Sequence, residues 1–133
     1  MLRTIWIIGA LSALLAVAAG AFATHGLQQL GDVHGADIVR TGALYGLVHG
    51  LVLLVLGVAH SLAVKGMLPF GQKRLLAGAG AVALGAVLFP GSLYLYVATG
   101  WRPLVFVTPV GGTAFLIGWV FIGLSVFRAR ARV

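Results

Sequence analysis

Tyr45 and His49 stand four residues apart in an otherwise apolar stretch. On a helix that spacing places both side chains on one face. A histidine inside an apolar segment has two chemical meanings. It can handle protons or a solute, or it can be a neutral ring donating one hydrogen bond across helices, because a polar group in lipid must find a partner. Further polar groups gather in the same part of the chain: His25, Arg40, Ser92, Tyr94 and Thr108. Metal chemistry finds little support among them. The chain has no cysteine, and His60 lies about 16 Å from His49 along a continuous helix, too far to share an ion. A bis-histidine haem would need partners on different helices, and only His25 is near the outer half. No metal and no cofactor is therefore expected.

Acid–base and nucleophilic schemes fare no better. The only carboxylates are Asp32 and Asp37, in a polar stretch between apolar segments. That removes a carboxylate relay and paired-carboxylate hydrolysis. Ser92 has no base at hydrogen-bonding spacing, and Gly111-Gly112 lacks the pattern of a nucleotide fingerprint. No residue is assigned a catalytic role, and the chain is expected not to be an enzyme.

The elements that position these groups follow from composition. Of 133 residues, 61% are hydrophobic and only 8% charged, with a mean hydropathy of +1.11. A soluble domain of this size needs far more polar surface. Spanning helices need roughly 20 apolar residues each, and four stretches qualify, at about 5–24, 42–64, 75–97 and 104–127. Residues 1–133 thus read as a single integral membrane domain, an all-α bundle of four transmembrane helices. Its short connections favour an up-down-up-down order. The net charge of +7 describes helix flanks rather than a nucleic-acid surface. Arg3, Lys65, Lys73, Arg74, Arg128, Arg130 and Arg132 fall on one side, Arg40 and Arg102 on the other. The positive-inside rule then places both termini in the cytoplasm. Trp6, Trp101 and the Phe127 region fit interfacial belts, whereas Trp119 does not.

The first segment poses its own question, since GAFATHGL could close a secretory signal. Ser12, Ala16 and Gly20 recur at helical spacing, as do Gly9, Ala13 and Val17, a pattern that lets helices approach closely. A retained first helix is expected. In the second segment Gly42, Gly46 and Gly50 form two consecutive small-xxx-small steps, continued approximately by Gly57. Gly78, Gly85, Gly118 and Gly123 provide smaller notches. Pro90-Gly91 and Pro109 with Gly111-Gly112 are expected to interrupt the third and fourth helices at similar depth, because an internal proline removes an amide donor and crowds the preceding turn. These positions read as packing or hinge residues.

GAFATHGL, the Tyr45-xxx-His49 helix, GSLYLYVATG (91–100) and TPVGGTAFLIGW (108–119) together resemble the DUF423 family of small bacterial membrane proteins. The resemblance covers essentially the whole chain. It implies about four spans, a location in the bacterial inner membrane as a multi-pass protein, no assigned reaction and no cofactor. It also implies that GAFATHGL ends a retained helix. The family commonly has Gly-Ala-His where this chain has Ala23-Thr24-His25, which keeps the histidine. It tends to carry glutamine where this chain has Gly46, which weakens a hydrogen-bonded unit of Tyr45, residue 46 and His49.

Two functional classes emerge. One is a non-enzymatic membrane protein acting through helix packing, as a homo-oligomer or as an accessory subunit of a larger membrane complex, with membrane lipids as its surroundings and no nucleic-acid partner. The other is a small transporter or channel for a polar solute or proton, using the outer-half polar groups and the two helix breaks. A water path to His49 would favour the second, and a dry His49 bonded to a backbone carbonyl would favour the first.

Overall fold

The computed structural model describes residues 2–127. Arg128, Arg130 and Arg132 lie outside that range. Four helices follow one another: α1 (Leu2–Phe22), α2 (Val33–Val64), α3 (Gln72–Thr99) and α4 (Leu104–Val126). All four are long and apolar enough to cross a membrane. There is no strand among the described residues, and the spans are helical, the form in which a backbone in lipid can pair most of its own polar groups.

The ends of the elements differ from the sequence reading in informative ways. α1 does not simply stop at His25. Ala23–Leu27 widens into a π-turn, with Gln28 N donating to Ala23 O at 3.2 Å. α2 begins at Val33 rather than near residue 42, so its 32 residues extend roughly 48 Å. That exceeds the roughly 30 Å hydrocarbon layer, and the first turns carry His34, Asp37 and Arg40. The helix starts there because Asp32 caps it, its Oδ1 accepting from Gly35 N at 2.8 Å. A carboxylate oxygen in this position satisfies a donor that the helix cannot. α3 ends at Thr99 and is capped by Gly100, whose φ of 67° is open to glycine at little cost. Its N–H closes on Tyr96 O at 2.8 Å.

Neither proline interrupts its helix. α3 runs unbroken through Pro90 and α4 through Pro109. Neighbouring helices and local adjustments accommodate such residues in membrane spans.

Consecutive helices pack antiparallel, α1 on α2, α2 on α3 and, most extensively, α3 on α4; α1 also touches α3. The backbones of α2 and α4 do not approach each other. Glycines set the close crossings. A Cβ on Gly50 would lie 2.8 Å from Gly9 O, and one on Gly9 would lie 2.9 Å from Gly50 O. Gly78 and Gly118 form an equivalent reciprocal pair between α3 and α4, at 3.0 and 3.1 Å from each other's carbonyl oxygens. The α3/α4 seam is therefore as tight as the one on α2, although its glycines read from sequence as minor notches. In lipid, this close packing must supply much of the association. Gly123 meets nothing within 4 Å and is no part of either seam.

The core sits between these seams, around Leu53, Leu75, Val82 and Phe115. A smaller cluster of Ala23, Ala36 and Val39 joins the π-turn to the start of α2.

Candidate functional site

His49 is the most enclosed of the histidines in the described chain, with 5% of its surface exposed. α2 presents it beside Tyr45, and α4 covers it with Phe115 and Trp119. The imidazole stacks on the Phe115 ring at 3.5 Å between centroids and 17° between planes. Tyr45 lies parallel to it at 5.9 Å, and Trp119 stands edge-on at 6.1 Å. Phe89 of α3 closes the floor, 4.7 Å from Tyr45 and 5.8 Å from Phe115. The edge-on and tilted contacts of Trp119 and Phe89 suit the ring quadrupoles, whereas His49 and Phe115 lie nearly face to face.

Both imidazole nitrogens have partners. Trp119 Nε1 donates to His49 Nε2 at 3.2 Å. An indole nitrogen can only donate, so Nε2 must be the bare acceptor. The proton then resides on Nδ1, which stands 2.8 Å from Tyr45 O and donates to it. The geometry specifies one neutral tautomer. A proton added at Nε2 would face the indole N–H and break the tie between helices.

The remaining polar residues do not converge on His49. Ser92 and Thr108 form their own pair across the α3/α4 seam, with hydroxyls 2.7 Å apart. Ser92 also donates to Phe89 O at 2.9 Å. Arg40 belongs to a surface knot near the end of α1. Its guanidinium reaches Asp37 at 3.1 Å and Gln28 at 2.5 Å, which ties α2 to the segment after the π-turn. His25 is exposed on that turn. Tyr94 packs its ring over Gly42, where a Cβ would come within 2.8 Å of the ring. Its hydroxyl is buried with no partner among the described residues.

The packing positions also divide. Gly46 lies between Ala16 and Pro90, where a Cβ would make ordinary contacts of 3.5 and 3.6 Å. Ser12 of α1 reaches across to donate to Gly46 O at 2.9 Å. Gly111 admits the backbone of Phe89, with a Cβ at 111 falling 2.5 Å from Phe89 N. Gly112 touches the Phe89 ring only at 3.7 Å, and Gly91 meets nothing within 4 Å. Gly91 therefore is no helix-packing contact.

Comparison with known proteins places the chain. The family profile described as a protein of unknown function, DUF423, matches residues 19–112. This chain belongs to the DUF423 family. The matched part holds Tyr45, His49, Ser92, Tyr94 and Thr108 and ends before Phe115 and Trp119. The chain is similar to the UPF0382 membrane protein SAB0533 of Staphylococcus aureus (strain bovine RF122 / ET3-1), 36% identical over 92% of this chain and 93% of the relative. It is similar to the UPF0382 membrane protein YwdK of Bacillus subtilis (strain 168), 37% identical over 92% of this chain and 94% of that one. It is also 34% identical to the UPF0382 inner membrane protein YgdD of Escherichia coli (strain K12), over 98% and 94% of the two chains. No solved structure gives a significant match. With four membrane-length helices and relatives named for the membrane, this DUF423 protein is a multi-pass inner-membrane protein.

Sequence reasoning missed Phe89, Phe115 and Trp119 as companions of His49. Trp119 carried the one available signal, because an indole far from either interface needs an internal partner for its N–H.

Proposed function

We propose that this DUF423 protein is a non-enzymatic membrane protein that acts through helix packing, as a homo-oligomer or as an accessory subunit of a larger membrane complex. The observation that carries this reading is the double use of His49, whose two nitrogens are spent on Tyr45 O and Trp119 within an aromatic enclosure. A group so engaged is a fastener between α2 and α4, with no lone pair left to receive a solute or proton. The reciprocal glycine crossings favour the same role, since they bring the helix backbones close enough for packing to hold them together.

Of the three features behind the transport alternative, a deep His49, a polar cluster and two helix breaks, the last two give it less support. It needed broken helices exposing backbone ligands, and both helices are continuous through their prolines. It also needed the outer-half polar groups together, whereas Ser92 and Thr108 pair with each other, Arg40 joins Gln28, His49 is held by Trp119, and the Tyr94 hydroxyl has no partner among the described residues.

The test is native-mass analysis of full-length protein extracted gently from its own membrane. A reproducible heteromeric complex or a discrete homo-oligomer is expected. A lone monomer, with no partner under any mild extraction, would overturn the reading.

A further inference from the structure

The helix ends that the basic residues mark as cytoplasmic carry cations that no acid answers. Arg3 lies in the first turn of α1, Lys65 follows α2, and Lys73 and Arg74 open α3. The two carboxylate side chains of the sequence, Asp32 and Asp37, stand at the other end of α2. Roughly 42 Å of helix rise separates Asp37 from Lys65. Among the described residues none of the four cations forms an ion pair. Arg74 is partly engaged, donating to Leu124 O at 3.0 Å, whereas Arg3, Lys65 and Lys73 are exposed.

Charge asymmetry of this kind orients the chain, but orientation asks for no particular shape around a charge. Arg3 has one. With Leu2, Trp6 and Ile7 it lines an open pocket of about 390 Å³ at the end of α1. Trp6 and Ile7 follow Arg3 by three and four residues, so all three share a helix face. The Trp6 ring rests on α2 at Gly57, where no Cβ would fit beneath it. That crossing sets the depth. With Trp6 and Gly57 level, Arg3 stands roughly 4.5 Å and Lys65 roughly 12 Å nearer the headgroups. Long cationic side chains reach further the same way.

A guanidinium above an apolar floor, at this depth, has the chemistry of a phospholipid site. Methylenes meet the floor, and the phosphate takes paired hydrogen bonds from the arginine. A zwitterionic headgroup brings its own cation, which the surplus positive charge opposes. An anionic headgroup brings none. We propose that the Arg3 pocket binds an anionic phospholipid of the cytoplasmic leaflet, its phosphate held by Arg3 and its first methylenes against Leu2, Trp6 and Ile7. Lys65 and Lys73 add positive potential around the phosphate without touching it. The site does not depend on the packing role.

Full-length protein in detergent is incubated with equal amounts of phosphatidylglycerol and phosphatidylethanolamine carrying the same acyl chains. Native mass spectrometry reads the lipid retained. Phosphatidylglycerol is expected to be favoured at least about fivefold, and Arg3→Gln should remove most of that preference, the effect of one cation near the membrane surface. Arg102→Gln makes the same charge change at the opposite end and should leave the preference unaltered. Glycerol phosphate, which has the anion and no chains, should not displace the lipid at equal concentration. Equal retention of the two lipids would overturn the proposal. Equal losses from Arg3→Gln and Arg102→Gln would also overturn it, because net charge alone would then explain the binding. Displacement by glycerol phosphate would replace the lipid with a free anion.

Discussion

Trp119 donates its indole N–H to His49 Nε2 at 3.2 Å, joining α4 to α2, two helices whose backbones do not meet. The rings of Tyr45, Phe89 and Phe115 pack around it. Trp119 is nearly half exposed to lipid, at 46%, while His49 is enclosed. The tie thus lies at the edge of the bundle, where it can set how far α4 stands from α2.

Removing the donor should loosen that tie. Trp119→Phe keeps the aromatic edge contact and loses the hydrogen bond, costing about 1 kcal/mol, within the range of measured interhelical bonds. A double-mutant cycle with His49→Ala, followed by unfolding in mixed micelles, should return a coupling energy of about 0.6–1.7 kcal/mol. Strict additivity of the two substitutions would mean that the pair contributes nothing.

The α1/α2 crossing should be the least tolerant place on α2. A Cβ at Gly50 would lie 2.8 Å from Gly9 O and 3.0 Å from Ala13 N, and backbone cannot swing aside. Gly50→Val is expected to cost about 2–3 kcal/mol by overpacking. Gly123→Val, at a glycine with open surroundings, should stay within about 0.5 kcal/mol of the parent. Thermal unfolding in detergent compares the two.

The Ser92–Thr108 pair should behave as one unit. Ser92→Ala and Thr108→Ala are each expected to cost about 0.5–1 kcal/mol. The double variant should cost less than the sum, because the 2.7 Å bond is lost only once. A double variant equal to the sum would mean the hydroxyls act independently.

At the outer surface, Arg40→Ala should have a small effect, below about 1 kcal/mol, because its ion pair with Asp37 is exposed and screened. The more sensitive readout is the segment after the π-turn, which Gln28 ties to Arg40. Limited proteolysis near Gln28 and Gln29 should accelerate in the variant. Unchanged cleavage would show that the tie does not restrain this segment.

Much of the fold was legible because hydrocarbon imposes a length and a composition on every span. Four runs of apolar residues give four helices, whereas Gly42, Gly46 and Gly50 do not line one seam: Gly42 faces Tyr94 of α3 and Gly50 faces Gly9 of α1. The early start of α2 was harder to see, since its first turns are polar and stand above the hydrocarbon; Asp32 was the signal available, as a cap three residues before Gly35. Pro90 and Pro109 misled because the rule for prolines in water overstates their effect among packed membrane helices. The candidate site was half legible. Depth and spacing singled out Tyr45 and His49, but the partner of His49 is 70 residues away on a helix reached only through folding. No periodicity in one chain encodes which helix faces which. The same limit scattered the supposed polar cluster of His25, Arg40, Ser92, Tyr94 and Thr108, whose shared depth did not mean a shared face.

The most direct measurement is nitrogen-15 solid-state NMR of His49 in lipid bilayers at neutral pH, with side-chain proton exchange followed in deuterated buffer. The expected result is a proton on Nδ1, a bare Nε2 coupled through space to the Trp119 indole proton, and slow exchange. A proton on Nε2, or rapid exchange from a hydrated ring, would contradict the assignment of His49 as a fastener and return it to the chemistry of transport.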